Sequence, residues 1–276
     1  MKQILLRASC AALMLALVPV APVAAVAAVP APAAVTAPAA GPAPGSAADG
    51  ILAQIPDTGR YVIVDAASAR LFMIEDGSVR DSMKVVVGKR GSATPVVKGT
   101  LYYATLNPYW YVPPDLARRT IAPNVLRQGV RYLRARGYEV VSGFVEGAQL
   151  LDPSEVDWKA VAAGRQKAWV RQRPGPGNSM GRMKFSFAHD SGIFLHDTPQ
   201  KKLFESEQRA FSNGCIRLED APRFARWLLG HEPSAAGDAP EQHVLLPQAV
   251  PVVVSYLDDG ARTRLAGMAS MERGGR

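Results

Sequence analysis

The chain has 276 residues, 48% of them hydrophobic and 20% charged, a balance that excludes a multi-span membrane protein and a mostly disordered chain. Two cysteines exclude a disulfide-stapled scaffold and a cysteine-rich zinc module. With 32 basic and 24 acidic residues the formal charge is +8, which favours anionic partners without naming them.

Lys2 and Arg7 precede a charge-free apolar run, Ala11 to Val20, and Ala25-Val26-Ala27 offers a small-residue cleavage site. This is the pattern of a secretory signal over residues 1–27. The apolar run is shorter than the roughly 20 residues a membrane span needs, so processing is expected rather than a retained anchor. From Ala21 to Ala48 the chain is almost only Ala, Pro, Val and Gly, and residues 28–56 read as a semi-extended, Ala- and Pro-rich linker. A folded region is expected over 57–265 and a disordered tail over 266–276. Cleavage would remove Cys10 and leave Cys215 as a lone thiol in an oxidising compartment, where something other than a disulfide must justify it.

Within the folded region, Tyr61–Asp65 and Leu71–Ile74 read as the arms of a hairpin, and Asp76-Gly77 turns into a third strand, Met83–Val87. Thr100–Leu106 and Val252–Leu257 complete a mainly β pattern of the sandwich or barrel kind. Between them, from about 107 to 184, lies a partly helical insertion. Its aromatic and proline-rich start, Asn107–Pro114, is unsuited to a central strand. Leu116, Ile121, Val125, Leu126, Val130 and Leu133 then fall at helical spacing, and a second helix is expected at Trp158–Ala163. Thirteen basic against six acidic residues concentrate the chain's positive charge here. Basic charge beside Tyr109, Trp110, Tyr111 and Trp158 could suit nucleic acid, but no groove-reading or single-strand motif accompanies it, and nucleic acid is not an expected partner. Arg171–Gly181 is a glycine-rich loop, predicted flexible, with neither a Walker nor a dinucleotide pattern.

The chemistry-bearing run is Ile193-Phe194-Leu195-His196-Asp197-Thr198-Pro199, followed by Phe211-Ser212-Asn213-Gly214-Cys215-Ile216-Arg217-Leu218. A thiol becomes a nucleophile by losing its proton to a base, and imidazole is suited to that task. Gly214 permits a tight turn, after which the N–H groups of Gly214 and Cys215 are candidates to face a developing oxyanion. Arg217, two residues on, would share a strand face with Cys215, lower its pKa and hold a substrate carboxylate. Ser212 is expected to hydrogen-bond backbone or His196. Glu219-Asp220 followed by Ala221–Leu229 and Gly230 is a capped amphipathic helix placed to buttress the cysteine loop. His189, His231, His196 and Cys215 match no zinc-ligand spacing, and no metal or other cofactor is expected.

His196 and, after fifteen intervening residues, Ser212-Asn213-Gly214-Cys215-Ile216-Arg217 resemble the L,D-transpeptidase catalytic (YkuD) domain family. Asn107-Pro-x-Trp-x-Val-Pro-Pro114 and the approach from Arg171 through Gly181-Arg182 to Lys184 are similar to its large-lid, YcbB-like branch, and together the motifs span about 61–257. The resemblance implies a β-sandwich-like fold with a lid insertion and one helix after the catalytic loop. It also implies a Cys215 nucleophile with His196 as base and then acid, and peptidoglycan stem peptides as acyl donor and acceptor. Carbapenem-type inhibitors are expected to acylate the cysteine. Trp110, Asn213, Phe194, Arg171 and Arg182 are the expected substrate contacts. Two departures stand out: Asn213 replaces the histidine common two residues before the cysteine, and Phe194 replaces the branch's frequent tyrosine. Hydrolysis of the same thioester, lipoprotein anchoring, and a non-catalytic wall-binding module are the alternatives. Papain-like chains carry the cysteine before the histidine, and sortases space the pair further apart.

Overall fold

A computed structural model describes residues 50–187, 192–235 and 237–270. The expected signal segment, most of the linker and His189 lie outside these residues. In chain order the strands are β1 (Arg60–Asp65), β2 (Arg70–Glu75), β3 (Ser78–Gly88), β4 (Val97–Leu106), β5 (Trp110–Val112), β6 (Tyr138–Val141), β7 (Leu150–Leu151), β8 (Trp169–Gln172), β9 (Met183–Phe187), β10 (Phe194–His196), β11 (Ala210–Ser212), β12 (Ile216–Leu218) and β13 (Gln242–Ser255). The helices are α1 (Pro114–Leu116), which runs through a π turn at Ala117–Ile121 into α2 (Ala122–Gln128), then α3 (Arg131–Ala135), α4 (Trp158–Ala162), α5 (Ala221–Leu229) and α6 (Asp259–Ser270). Among the described residues no helix is long and apolar enough to cross a membrane.

The main sheet runs β11-β3-β12-β10-β9-β4-β13-β1-β2, and β2 also pairs with β3, so eight strands close on themselves with β11 added at the end of β3. Long β3 makes this possible by changing partner along its length: residues 78–84 pair with β2, Val85 and Val86 with β12, and Val87 and Gly88 with β11. Inside the ring lie Val62, Val64, Leu71, Met73, Met83, Val85, Leu101, Phe185, Leu195, Ile216 and Val252. The opposite face of β1, β2 and β13 is also covered. Tyr61, Ile63, Ile74 and Val253 pack against Ala261 and Leu265 of α6 and against Ile51. Strands buried on both faces read as continuous apolar runs, which is why Tyr61-Val-Ile-Val64 shows no alternation. Two expectations shift accordingly: the packed region begins by Ile51, and the chain remains helical through Ser270 rather than fraying from 266.

The insertion leaves β4 at Leu106 and rejoins the sheet at Met183, its rung partner on β9. It contains helices at the expected places and also a second sheet, β5-β8-β6-β7, which the sequence reading did not anticipate. Strands of two to four residues are too short to display a period-2 pattern. Its own core gathers Val112, Ile121, Leu133, Val140, Trp158, Val161 and Val170. The glycine-rich loop is internally tied rather than open. Buried Asn178 donates from Nδ2 to the carbonyls of Pro108 (3.0 Å) and Arg173 (2.9 Å).

Helix α5 begins where the Asp220 carboxylate accepts from the Arg223 N–H (2.9 Å) and ends at Gly230. Its apolar face, Ala221, Phe224, Ala225 and Leu228, joins the core inside the ring, with the Phe224 ring edge-on to Phe185 at 4.9 Å between centroids. Both rings are fully buried, so truncating one leaves a large cavity. Phe224→Ala is expected to lower unfolding stability by about 3–5 kcal/mol, read from the midpoint of urea denaturation.

Candidate active site

Strands β10 and β12 run parallel, with Leu195 opposite Ile216 and His196 opposite Arg217. Leu195 and Ile216 are completely buried in the core, so the alternate residues, Phe194 and His196 on one strand and Cys215 and Arg217 beside them, belong to the other face. From strand spacing and rise, the α-carbons of His196 and Cys215 lie diagonally at roughly 8 Å. The same rung continues across the sheet. Lys184 of β9 stands opposite His196, Thr105 of β4 opposite Lys184, and His243 of β13 opposite Thr105. A row of polar side chains thus crosses a sheet whose neighbouring row, Ala104, Phe185, Leu195 and Ile216, is wholly apolar.

His196 is 4% exposed, and its Nδ1 lies 2.5 Å from the carbonyl oxygen of Asp197. A carbonyl only accepts, so Nδ1 carries the hydrogen and Nε2 presents a lone pair. The residue supplying that carbonyl is itself fixed. The Asp197 carboxylate accepts from the Arg182 N–H (2.9 Å) and from Lys201 Nζ (2.8 Å), and its own N–H donates to the Met183 carbonyl (2.9 Å). Gly181, at φ +63°, lets the chain pass against it; a Cβ there would stand 2.5 Å from Asp197 Cγ.

The half-buried Cys215 follows a braced turn. Ser212 Oγ donates to the Cys215 carbonyl (2.6 Å) and accepts from the Gly214 N–H (3.1 Å). Gly214 has φ +121°, a conformation that disfavours any side chain. Its carbonyl accepts from Thr94 Oγ1 (2.8 Å), whose oxygen in turn accepts from the Gly88 N–H (2.8 Å), tying the turn to the end of β3.

Burial dominates the electrostatics. It pushes the Cys215 thiol up, against smaller downward effects of a hydrogen bond from the Phe194 backbone and of the Arg217 charge. It also pulls His196 down to about 4. The hydrogen bond to the Asp197 backbone opposes this, and the charges of Arg217 and Lys184 add to it. The resting pair is therefore a neutral thiol and a neutral imidazole at pH 7. Arg217 acts on the thiol in the expected downward direction, but burial outweighs it.

The sequence-predicted residues separate into two groups. His196, Cys215, Arg217 and Phe194 share one face beside the turn that carries Ser212, exposed Asn213 and Gly214. Ser212 bonds backbone, as expected, while the Gly214 N–H is taken up by Ser212 and is no oxyanion donor. Arg217 donates to Gln200 Oε1 (2.7 Å) rather than pairing with Glu219 or Asp220. Trp110 is instead part of the insertion's core, against Tyr138. Arg171 is held by Glu139 (2.9 Å) over the Tyr109 ring, and Arg182 contributes its backbone N–H while the residue is exposed. Lys184, Asp197 and Thr94 went unassigned. Alternation in Met183-Lys-Phe-Ser-Phe187 was the available signal for Lys184, since Phe185 and Phe187 face the core. Two cavities adjoin the insertion. One, of about 830 Å³ by the Pro174–Asn178 loop, contains neither His196 nor Cys215. The other, of about 800 Å³, is lined by Tyr111, Phe144, Arg171, Glu241 and His243 and reaches the polar row through Glu241.

A cysteine and a histidine on one face of a closed β sheet are an arrangement chemically capable of nucleophile–base work. The pattern of the L,D-transpeptidase catalytic domain (YkuD) matches residues 59–254, and the chain belongs to that family. A Haemophilus influenzae protein named provisionally as an L,D-transpeptidase is 30% identical over 179 residues, which cover 64% of this chain and 35% of that protein. The chain therefore spans about a third of that relative's length. Among solved structures, an Enterococcus faecium L,D-transpeptidase with a cysteine-to-serine substitution is 13% identical, with a TM-score of 0.34, over 73% of this chain and 50% of the other. An L,D-transpeptidase from Mycobacterium smegmatis is 14% identical, with a TM-score of 0.33, over 72% and 60%.

Two measurements check the electrostatics. Nitrogen-15 NMR of His196 is expected to show the Nδ1–H tautomer and a titration midpoint near 4, not the ordinary 6.5. Since the unfolded chain takes up this proton near 6.5 and the folded chain only near 4, protonation favours unfolding. Stability is complete above pH 6.5 and is expected to fall by up to about 3 kcal/mol toward pH 4, a loss absent in His196→Gln.

Proposed function

We propose that the protein is an exported L,D-transpeptidase that joins peptidoglycan stem peptides through a thioester on Cys215. The observation that carries this reading is the β10–β12 register, which puts Cys215, His196 and Arg217 on one face with the Nε2 lone pair of His196 available. As Cys215 Sγ adds to the carbonyl of the third stem residue, its proton passes to His196 Nε2. The oxyanion is assigned to the Cys215 N–H, because the Gly214 N–H is engaged. Collapse breaks the bond to the terminal D-amino acid, whose amine takes the proton from His196. The amine of a second stem then adds to the thioester and gives its proton to His196. The new amide forms as the sulfur departs, and the proton returns to it.

Buried neutral partners suit this sequence, since charge develops only while the substrate is present. The signal pattern over 1–27 supports export to the periplasm or cell wall, and the insertion is assigned as a lid over the groove. Water reaching the thioester in place of an amine would make the same site an L,D-carboxypeptidase.

Intact-mass measurement after incubation with a carbapenem tests the nucleophile. One adduct is expected on the unmodified chain and none on Cys215→Ser; no adduct on folded protein overturns the reading. In Gly181→Ala the added methyl displaces Asp197, and acylation is expected to slow by roughly ten- to a hundredfold with the fold retained, by analogy with small misplacements of catalytic groups.

A further inference from the structure

Lys184 is flanked by more than the catalytic histidine. Its side chain is 13% exposed, and its ammonium lies 3.6 Å from Glu241 Oε1 and 5.4 Å from the centre of the Phe194 ring. That Glu241 oxygen is buried and makes no hydrogen bond, while Oε2 accepts from the Tyr111 hydroxyl (3.0 Å). The Lys184–Glu241 pair is thus an ion pair at long range, with a carboxylate held from its far side by the insertion. On the other side of His196, Arg217 has a neutral partner, Gln200, and among the described residues no carboxylate pairs with it. Two basic residues therefore occupy the rungs on either side of His196, each on a strand about 4.8 Å from β10 along the ladder.

The chemistry of the leaving group gives this arrangement a use. An acid that protonates a departing amine must touch that nitrogen, and in an amino-acid leaving group the carboxylate is two bonds away from it. The carboxylate must then lie among the groups that flank His196. We propose that Lys184 is a substrate-binding residue that exchanges Glu241 for the terminal carboxylate of the leaving residue and completes with Arg217 a clamp on that carboxylate. The proposal deepens the transpeptidase reading and rests on it for the identity of the leaving residue. It makes Lys184 a specificity determinant: donors ending in a free carboxylate are accepted, and those whose terminal carboxyl is amidated are discriminated against. A carboxylate bound there also offsets the two charges that help to hold His196 down, making the imidazole a better base when substrate is present.

Binding to the full chain carrying Cys215→Ala tests the clamp without turnover. Calorimetry would compare a stem tetrapeptide ending in free D-alanine with its terminal carboxamide. The acid is expected to bind about tenfold more tightly or better. Adding Lys184→Met should bring that ratio close to one, and Lys184→Arg should keep most of it. Since Lys184→Met leaves Glu241 without its cation, Lys184→Met with Glu241→Gln provides a charge-balanced second variant with the same expectation. Equal affinity for acid and amide, a preference that survives both methionine variants, or binding of neither peptide would overturn the clamp. An acid preference lost with Lys184, in a chain whose Cys215 takes no acyl group, would instead leave the clamp standing and remove the catalytic reading.

Discussion

The candidate site depends on one stretch of parallel ladder, Leu195 against Ile216 and His196 against Arg217. Leu195 and Ile216 are drawn into the core by the hydrophobic effect, and the pleat then has no freedom left for their neighbours. A slip of one residue would turn Arg217 of β12, or the polar ring of His196 of β10, into the core and carry an aliphatic side chain to the other face. The register is therefore enforced by the core while its product, the polar row from His243 to Arg217, lies on the other face. Helix α5 reinforces this from within, because its Phe224 packs on Phe185, the apolar neighbour of Lys184 on β9.

Charge and burial compete in this row, and burial prevails for both partners. Arg217 alone does not overcome the desolvation of a sulfur placed in so little solvent, and Lys184 and Arg217 act on His196 in the same direction as burial. The counterweight is geometric: the hydrogen bond to the Asp197 carbonyl sets the tautomer, so the basic nitrogen is defined even while the ring stays neutral. Asp197 can do this because Arg182, Lys201 and Met183 hold it from three directions.

Much of this was legible in the sequence wherever the signal was local. The Asp76-Gly77 turn, the capped helix beginning at Ala221, and the His196 to Cys215 spacing each reside in a few adjacent residues. Signals that needed a partner strand were lost. Strand β13 begins at Gln242, ten residues before its recognisable apolar run, because β4 supplies the hydrogen bonds that its sequence does not advertise. The small sheet of the insertion escaped notice for the same reason. At the site, Lys184 was invisible as a neighbour of His196 until β9 was placed beside β10, and Trp110 looked available for substrate until the insertion was seen to have a core of its own.

The attachment of the insertion has an evolutionary consequence. Its two ends, Leu106 and Met183, are cross-strand neighbours, so the point of departure and the point of return are adjacent on the sheet. A tight turn would bridge the same gap and leave every rung below it undisturbed. Such a junction lets the intervening segment lengthen, shrink or be exchanged between descendants without renegotiating the main sheet, so a unit with its own small sheet and core can diversify while the polar row beside the junction keeps its register.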